Sequence, residues 1–220
     1  LGRSRDISTI SHELGHAIHA YYSQGQPLWS YHAILPLCET ASVFSEMVLM
    51  DYMRKRETDR QAKIVLLTDK LEDLFATSHR QNMFSRFEQA AHASISNGLM
   101  SGDELSQLYE SEIHNMFGDS IQMTPEYRSE WMTIPHIYHV PFYVYSYNFG
   151  NLLVIALYQQ YLKEGDSFIP KLKSVLSLGR SASPVQIAQI VGADILDESF
   201  WTQSLVYIRG LIDELAELIE

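Results

Sequence analysis

The sequence predicts an all-α protein with at most a short β-strand or hairpin near its most informative motif, and three observations predict it. Apolar residues recur at helical rather than alternating spacing through most of the 220 residues. Helix-start signals follow one another in order: Ser101 with Glu104, Thr124-Pro125 and Ser183-Pro184. No internal repeat, low-complexity stretch or linker interrupts the pattern, so residues 1–220 are expected to form one helical domain.

A first helix, capped at Asp6 or Ser8, runs to about Tyr22, where Gly25 and Pro27 stop it. Leu28 to Leu37 is aromatic and branched, lacks a helical period and contains Pro36, which suits a short strand or an extended loop. A second helix spans Glu39 to Lys55, with Val43, Met47 and Met50 on one face. Helical stretches continue from Thr58 to about Ser96, before Gly98. Ser101 and Glu104 form a capping box that opens a helix to about Phe117. Thr124-Pro125 leads a short helix to Trp131, and Ile134 to Pro141, with two prolines, reads as a loop. Phe142 to Lys163 is long and apolar enough for a buried helix. Ser183-Pro184 opens a short helix ending at Gly192, and Asp197 opens the last one.

Composition excludes several classes. The formal net charge of -11, without a basic patch, argues against nucleic-acid binding, which needs cations aimed at phosphates. Arg54-Lys55-Arg56 is followed by Glu57 and Asp59 and reads as a solvated helix end. No run of eighteen apolar residues exists, so no membrane partner is expected. One cysteine, Cys38, permits no intrachain disulfide and gives an oxidising compartment no support; a small core residue is the preferred reading. Leu1 to Asp6 are mixed and polar and carry no secretory signal. Because the chain starts with Leu1 and its main motif comes twelve residues in, a natural N-terminal part is expected outside it.

The chemistry is carried by His12-Glu13-Leu14-Gly15-His16, of the form H-E-x-x-H. Residues four apart on a helix lie one turn above each other, so both imidazoles can reach the same ion, expected to be Zn2+, one per chain. Such an ion lowers the pKa of water and polarises a carbonyl, and Glu13, beside it, is placed to act as general base. Ile10, Leu14, Ala17, Ile18 and Ala20 are expected to bury the same face, where unpartnered polar groups are costly. A catalytic zinc needs a third protein ligand. The extended form with glycine at position 19 and histidine at 22 fails, since His19 and Tyr22 stand there. Glu39 and Glu46 are both available; Glu39, at the start of the second helix, is favoured, with Glu46 pointing elsewhere or supporting a ligand. His19 is as well explained by a hydrogen-bonded core position as by a role at the metal.

A second constellation lies between Ile134 and Gly150, rich in histidine and tyrosine. Imidazole and phenol groups are suited to stabilise the oxyanion formed when an amide is attacked. His136 could be held near the metal by the loop, and Tyr143 and Tyr147, four apart, share a helix face. Tyr145 reads as a core residue.

The segment Arg5 to His19 resembles the zinc helix of the M3 metallopeptidases, closest to their oligoendopeptidase F branch. Glu39-Thr40-Ala41-Ser42-Val43-Phe44-Ser45-Glu46 is similar to that family's third-ligand helix, whose first glutamate binds zinc. Ile134 to Tyr138, followed by Pro141 to Tyr147, resembles its substrate-binding stretch. The resemblance implies a zincin-like catalytic core in which His12, His16 and Glu39 hold zinc and Glu13, His136 and Tyr147 are catalytic. Tyr138 and Tyr143 would then bind substrate. It further implies a cytoplasmic endopeptidase for short peptides, of which this chain is the C-terminal catalytic portion. Surface left by an absent N-terminal portion would then be a candidate for self-association. Two other readings stay open: a metallocarboxypeptidase of related helical fold, and a zinc-stabilised helical module without catalysis.

Overall fold

A computed structural model describes residues 4–220; Leu1 to Arg3, part of the polar start, lie outside the described residues. The described residues form helices and no strand. They are α1 (Ser4–Ser23), α2 (Leu28–Tyr31), α3 (Leu35–Cys38), α4 (Thr40–Arg56), α5 (Arg60–Leu74) and α6 (Gln81–Ile95). There follow α7 (Gly102–Phe117), α8 (Pro135–His139), α9 (Tyr145–Glu164), α10 (Ile169–Leu176), α11 (Pro184–Ile190) and α12 (Glu198–Ile219). A π-helical stretch over Phe75–Arg80 joins α5 to α6, and 3-10 turns cover Pro125–Thr133 and Gly165–Phe168. The chain divides into two compact units, Leu1–Leu74 with Phe149–Glu220, and Phe75–Asn148.

In the first unit, six consecutive residues of α9, Leu153 to Tyr158, are all buried, in accord with the apolar run that predicts a core helix. Met47, Leu67, Leu74, Phe168, Phe200 and Leu211 pack in the same core. Burying each such side chain contributes roughly 1.5–3 kcal/mol. The solvated end expected for α4 also carries a buried anchor. Asp51 accepts hydrogen bonds from Arg54 at 2.7 Å and pairs with Lys55 at 2.6 Å, and Arg54 also pairs with Glu214 of α12. Burial alone would raise the pKa of the Asp51 carboxyl, but bonds from Lys55, Arg54 and Tyr158 hold it below its ordinary value.

The segment expected to be a short strand or an extended loop forms α2 and α3 instead. A lone extended segment would leave backbone N–H groups unpaired, whereas single helical turns satisfy them: Ser30 N donates to Pro27 O at 2.8 Å, and Leu37 N to Ile34 O at 2.8 Å. Its aromatic character has no sheet face to cover, and Trp29 is exposed. The segment is tied down by Arg180 N donating to Ser30 O at 2.9 Å and Arg180 Nε to His32 O at 3.0 Å. Helix α10 has Pro170 in its first turn but no capping side chain before it, and it was not among the expected elements.

In the second unit, Phe84, Phe87, Tyr109, Ile113 and Val144 form the core. The capping box on α7 is present, with Ser101 N donating to Glu104 at 2.7 Å and Glu104 N to Ser101 Oγ at 3.2 Å. Tyr109 donates to Glu130 at 2.6 Å, and Arg80 pairs with the same carboxylate. Burial first, then this bond, push the Tyr109 phenol well above its usual pKa. The expected loop after Ile134 contains the short helix α8, because Pro135 stands at a first-turn position, where its missing N–H costs nothing.

One contact in the first unit fixes how α1 meets α4. A Cβ placed on Gly15 would lie 2.4 Å from Ser42 Cα and 2.6 Å from Ala41 O, so the two backbones approach as only glycine permits. Gly15→Ala is expected to destabilise the protein by about 1–3 kcal/mol through overpacking. Denaturant unfolding measures this, and a loss under about 0.5 kcal/mol, the scale of an ordinary surface change, would show that the helices separate freely.

Candidate metal centre

The Gly15 contact turns one row of α1, His12, His16 and His19, toward the start of α4. His12 Nε2 lies 3.1 Å from His16 Nε2, and Glu39 Oε2 lies 3.3 Å from each. These three are the described His, Cys, Asp and Glu residues whose ligand atoms converge as a metal-binding group. A tetrahedral ion with bonds of about 2.0–2.1 Å requires ligand atoms about 3.3 Å apart, so the donor set fits zinc. All three side chains are partly exposed, which leaves the group open to a further ligand.

A second layer orients these donors. His12 Nδ1 stands 2.5 Å from Glu46 Oε1; an ionised carboxylate accepts, so Nδ1 carries the proton and Nε2 keeps its lone pair for a metal. Lys70, itself buried, lies 3.8 Å from the other oxygen of Glu46. Ser42 Oγ donates to Glu39 Oε2 at 2.8 Å and Cys38 Sγ to Glu39 Oε1 at 3.6 Å. Burial, followed by the Glu39 carboxylate, pushes the Cys38 thiol up to about 11. Of these supports the sequence had suggested Glu46 alone. Ser42, three residues beyond Glu39 in the first turn of α4, was within reach of a spacing argument; Lys70, on α5, was not.

The expected burial of the motif's apolar neighbours is not what the structure shows. Ile10, Leu14 and Ile18 are exposed, along with Ala17. They occupy the side of α1 opposite the histidine row, because the glycine contact assigns the other face to α4. Glu13 lies between these faces and is exposed.

The second constellation forms its own ring cluster in the second unit. Tyr147 Oη lies 3.3 Å from His136 Nε2. The His136 ring stacks on Tyr143 with centroids 5.6 Å apart, and Tyr143 meets Tyr147 edge-on at 5.0 Å. Tyr138 is half exposed and takes no part in these ring contacts; burial raises its phenol's pKa. Tyr145, expected in the core, is half exposed, since its position on the first turn of α9 turns it outward. Between α8 and α9, Phe142 has a φ of 60°, and its N–H donates to the buried Glu88 at 2.7 Å. A bulky residue there stores about 1–3 kcal/mol of strain.

An H-E-x-x-H helix whose two histidines meet a glutamate just before α4 is a donor arrangement of the metallopeptidase class. The model of peptidase family M3 matches residues 3–207, and the chain belongs to that family. It is 29% identical over 216 residues to the oligopeptidase PepF of Bacillus subtilis (strain 168), covering 97% of this chain and 32% of that protein. It is 28% identical to an oligoendopeptidase F homologue of Borreliella burgdorferi, covering 98% of this chain and 37% of the other. The crystal structure of oligoendopeptidase-F from Enterococcus faecium superposes with a TM-score of 0.86 at 26% identity, over 98% of this chain and 39% of that one. The chain therefore spans about a third of the length of the curated relatives it matches.

His19 gives a pH signature. Burial lowers its pKa, against a backbone hydrogen bond with Cys38 that raises it. The folded chain then binds this proton more weakly than the unfolded chain, whose value is about 6.5. The stability involved is complete above that value and is lost as pH falls through it toward the folded pKa. Thermal melts of metal-free protein between pH 8 and 5 should show a fall that is shallower in His19→Asn; parallel curves would assign the fall to other groups.

Proposed function

We propose that this chain is the zinc-dependent catalytic portion of an endopeptidase that hydrolyses short peptides. The observation that carries the reading is the convergence of His12 Nε2, His16 Nε2 and Glu39 Oε2 within 3.3 Å of one another. Two imidazoles and one carboxylate, with room for water, form the donor set of hydrolytic rather than structural zinc. Zinc, when bound, polarises the scissile carbonyl and lowers the pKa of water.

The chain's own residues do the rest. His12, His16 and Glu39 hold the ion, and Glu46 keeps His12 in the tautomer that can bind it. Glu13, next to His12 in the chain, takes a proton from water as its oxygen attacks the carbonyl carbon. The same carboxyl then passes that proton to the amide nitrogen as the C–N bond breaks. His136 and Tyr147 stabilise the developing oxyanion. Their pair shares one hydrogen between Nε2 and Oη, which leaves one donor over, either the imidazole Nδ1–H or the phenol O–H, for a substrate oxygen. Tyr138 and Tyr143 contact the peptide. Peptides are the substrate class implied by the relatives' names, oligopeptidase and oligoendopeptidase. No helix among the described residues is long and apolar enough to cross a membrane. The single cysteine, which gives an oxidising compartment no support, is what favours a cytoplasmic setting. The exposed row Ile7, Ile10, Leu14, Ile18 and Tyr21 on α1 supports self-association through that face, and light scattering showing only monomer at high concentration would overturn it.

Elemental analysis should find one zinc per chain, lost in a His12→Ala, His16→Ala double variant. Glu13→Gln should keep the zinc and lower kcat on short peptides by about 10²–10⁴-fold, the range of general-base catalysis. Zinc bound with hydrolysis undiminished in Glu13→Gln would sink the mechanism. Glu46→Ala should weaken zinc binding about 10–100-fold by chelator competition, and unchanged affinity would leave Glu46 without the assigned role.

A further inference from the structure

Glu88 is a carboxylate that the proposed chemistry does not use, and it is only 1% exposed. Burying it on α6 is unfavourable unless it accepts hydrogen bonds that matter to the fold. It accepts one from the backbone N–H of Phe142, at 2.7 Å. Phe142 occupies the third position of the turn Val140-Pro141-Phe142-Tyr143, closed by Tyr143 N donating to Val140 O at 3.2 Å. Proline at the second position and a φ of 60° at the third are the features of a type II turn. Phenylalanine is poorly suited to that third position, which glycine normally fills, and left alone this sequence would favour the type I turn.

The two turns differ by a flip of their central peptide, here the bond between Pro141 and Phe142. The flip reverses the direction of the Phe142 N–H. A buried acceptor on α6 therefore favours type II over type I. The same helix makes a second contact one turn further on, where the His92 ring lies 4.6 Å from the Phe142 ring. The turn joins α8, which carries His136, to α9, which carries Tyr147, and Tyr143 is its last residue. Changing the turn changes the path of the chain between the two partners of the 3.3 Å contact.

We infer that Glu88 is a positioning residue, which holds the Pro141–Phe142 turn in its type II form and thereby sets the geometry of His136, Tyr143 and Tyr147. Its importance for peptide cleavage rests on the function proposed above. The role requires an acceptor oxygen and no charge, so glutamine can fill it and methionine cannot. Glycine at 142 should make the type II turn favourable without help from Glu88.

The test compares Glu88→Gln, Glu88→Met, Phe142→Gly and the Glu88→Met, Phe142→Gly double variant in the full-length, zinc-loaded protein. Glu88→Met should lower kcat at least tenfold with KM within about twofold, and Glu88→Gln should stay within about threefold of the parent. The double variant should recover at least fivefold over Glu88→Met. Hydrogen exchange at the Phe142 amide should be at least tenfold faster in Glu88→Met and unchanged in Glu88→Gln. Loss of protection with kcat intact would overturn the positioning role, as would a loss of kcat that tracks falling thermal stability and that glycine does not restore. The exchange measurement and the His136 ring resonances do not depend on turnover. If the parent protein fails to cleave peptides but Glu88→Met still frees the Phe142 amide and shifts those resonances, the proposed function falls and the positioning role stands.

Discussion

The close approach of α1 and α4 at Gly15 is the constraint on which the candidate metal centre depends. Two histidines one turn apart on α1 define a line of donors, but a metal needs a third donor off that line. Glu39 lies just before α4, so it can supply that donor only if the two backbones nearly touch a few residues beyond it. The glycine in the middle of H-E-x-x-H allows that approach against Ala41 and Ser42. The same contact explains the orientation of the whole helix. Once one face of α1 is committed to α4, its apolar row from Ile7 to Tyr21 must turn outward.

Around that contact the protein uses charged groups in layers. Glu46 faces both His12 and Lys70, so the carboxylate that orients a donor is itself balanced by a cation. The Asp51, Arg54 and Glu214 group plays the same part further along α4, linking it to α12 away from the donors. In the second unit Glu130 joins Tyr109 and Arg80 in the same manner. In each case a carboxylate that is buried (Asp51) or partly buried (Glu46, Glu130) serves two partners, which favours one arrangement of helices over near alternatives.

What was legible in the sequence follows from how local each signal is. That His12 and His16 face one point follows from their spacing of four, and Glu39 was within reach because a helix start so soon after the first helix brings it back to the motif. The capping box at Ser101 and Glu104 involves groups three residues apart. Leu28 to Leu37 reads from composition as a strand or extended loop but forms helical turns, because aromatic and branched residues suit a strand only where a partner strand exists, which composition cannot report. The burial of Ile10, Leu14 and Ile18 was misjudged for a related reason. Helical spacing identifies an apolar face, but the position of one glycine decides which face packs. Lys70 and Glu88 left no signal, because each meets its partner across a long sequence separation that only the tertiary fold brings together.

The two constellations also differ in how they are held. The metal donors sit on or beside long helices, where neighbouring backbone leaves little freedom and the cost of order is shared with the core. The His136, Tyr143 and Tyr147 group instead spans two helices joined by a turn with an unfavourable φ. Such strain persists only where surrounding structure over-determines it, and here a buried carboxylate and an aromatic contact do so. A glycine at 142 would be simpler if the turn had only to close. Phenylalanine makes the turn depend on α6, so the geometry of the ring cluster is coupled to the packing of the unit's core, to which Phe84 and Phe87 of the same helix belong.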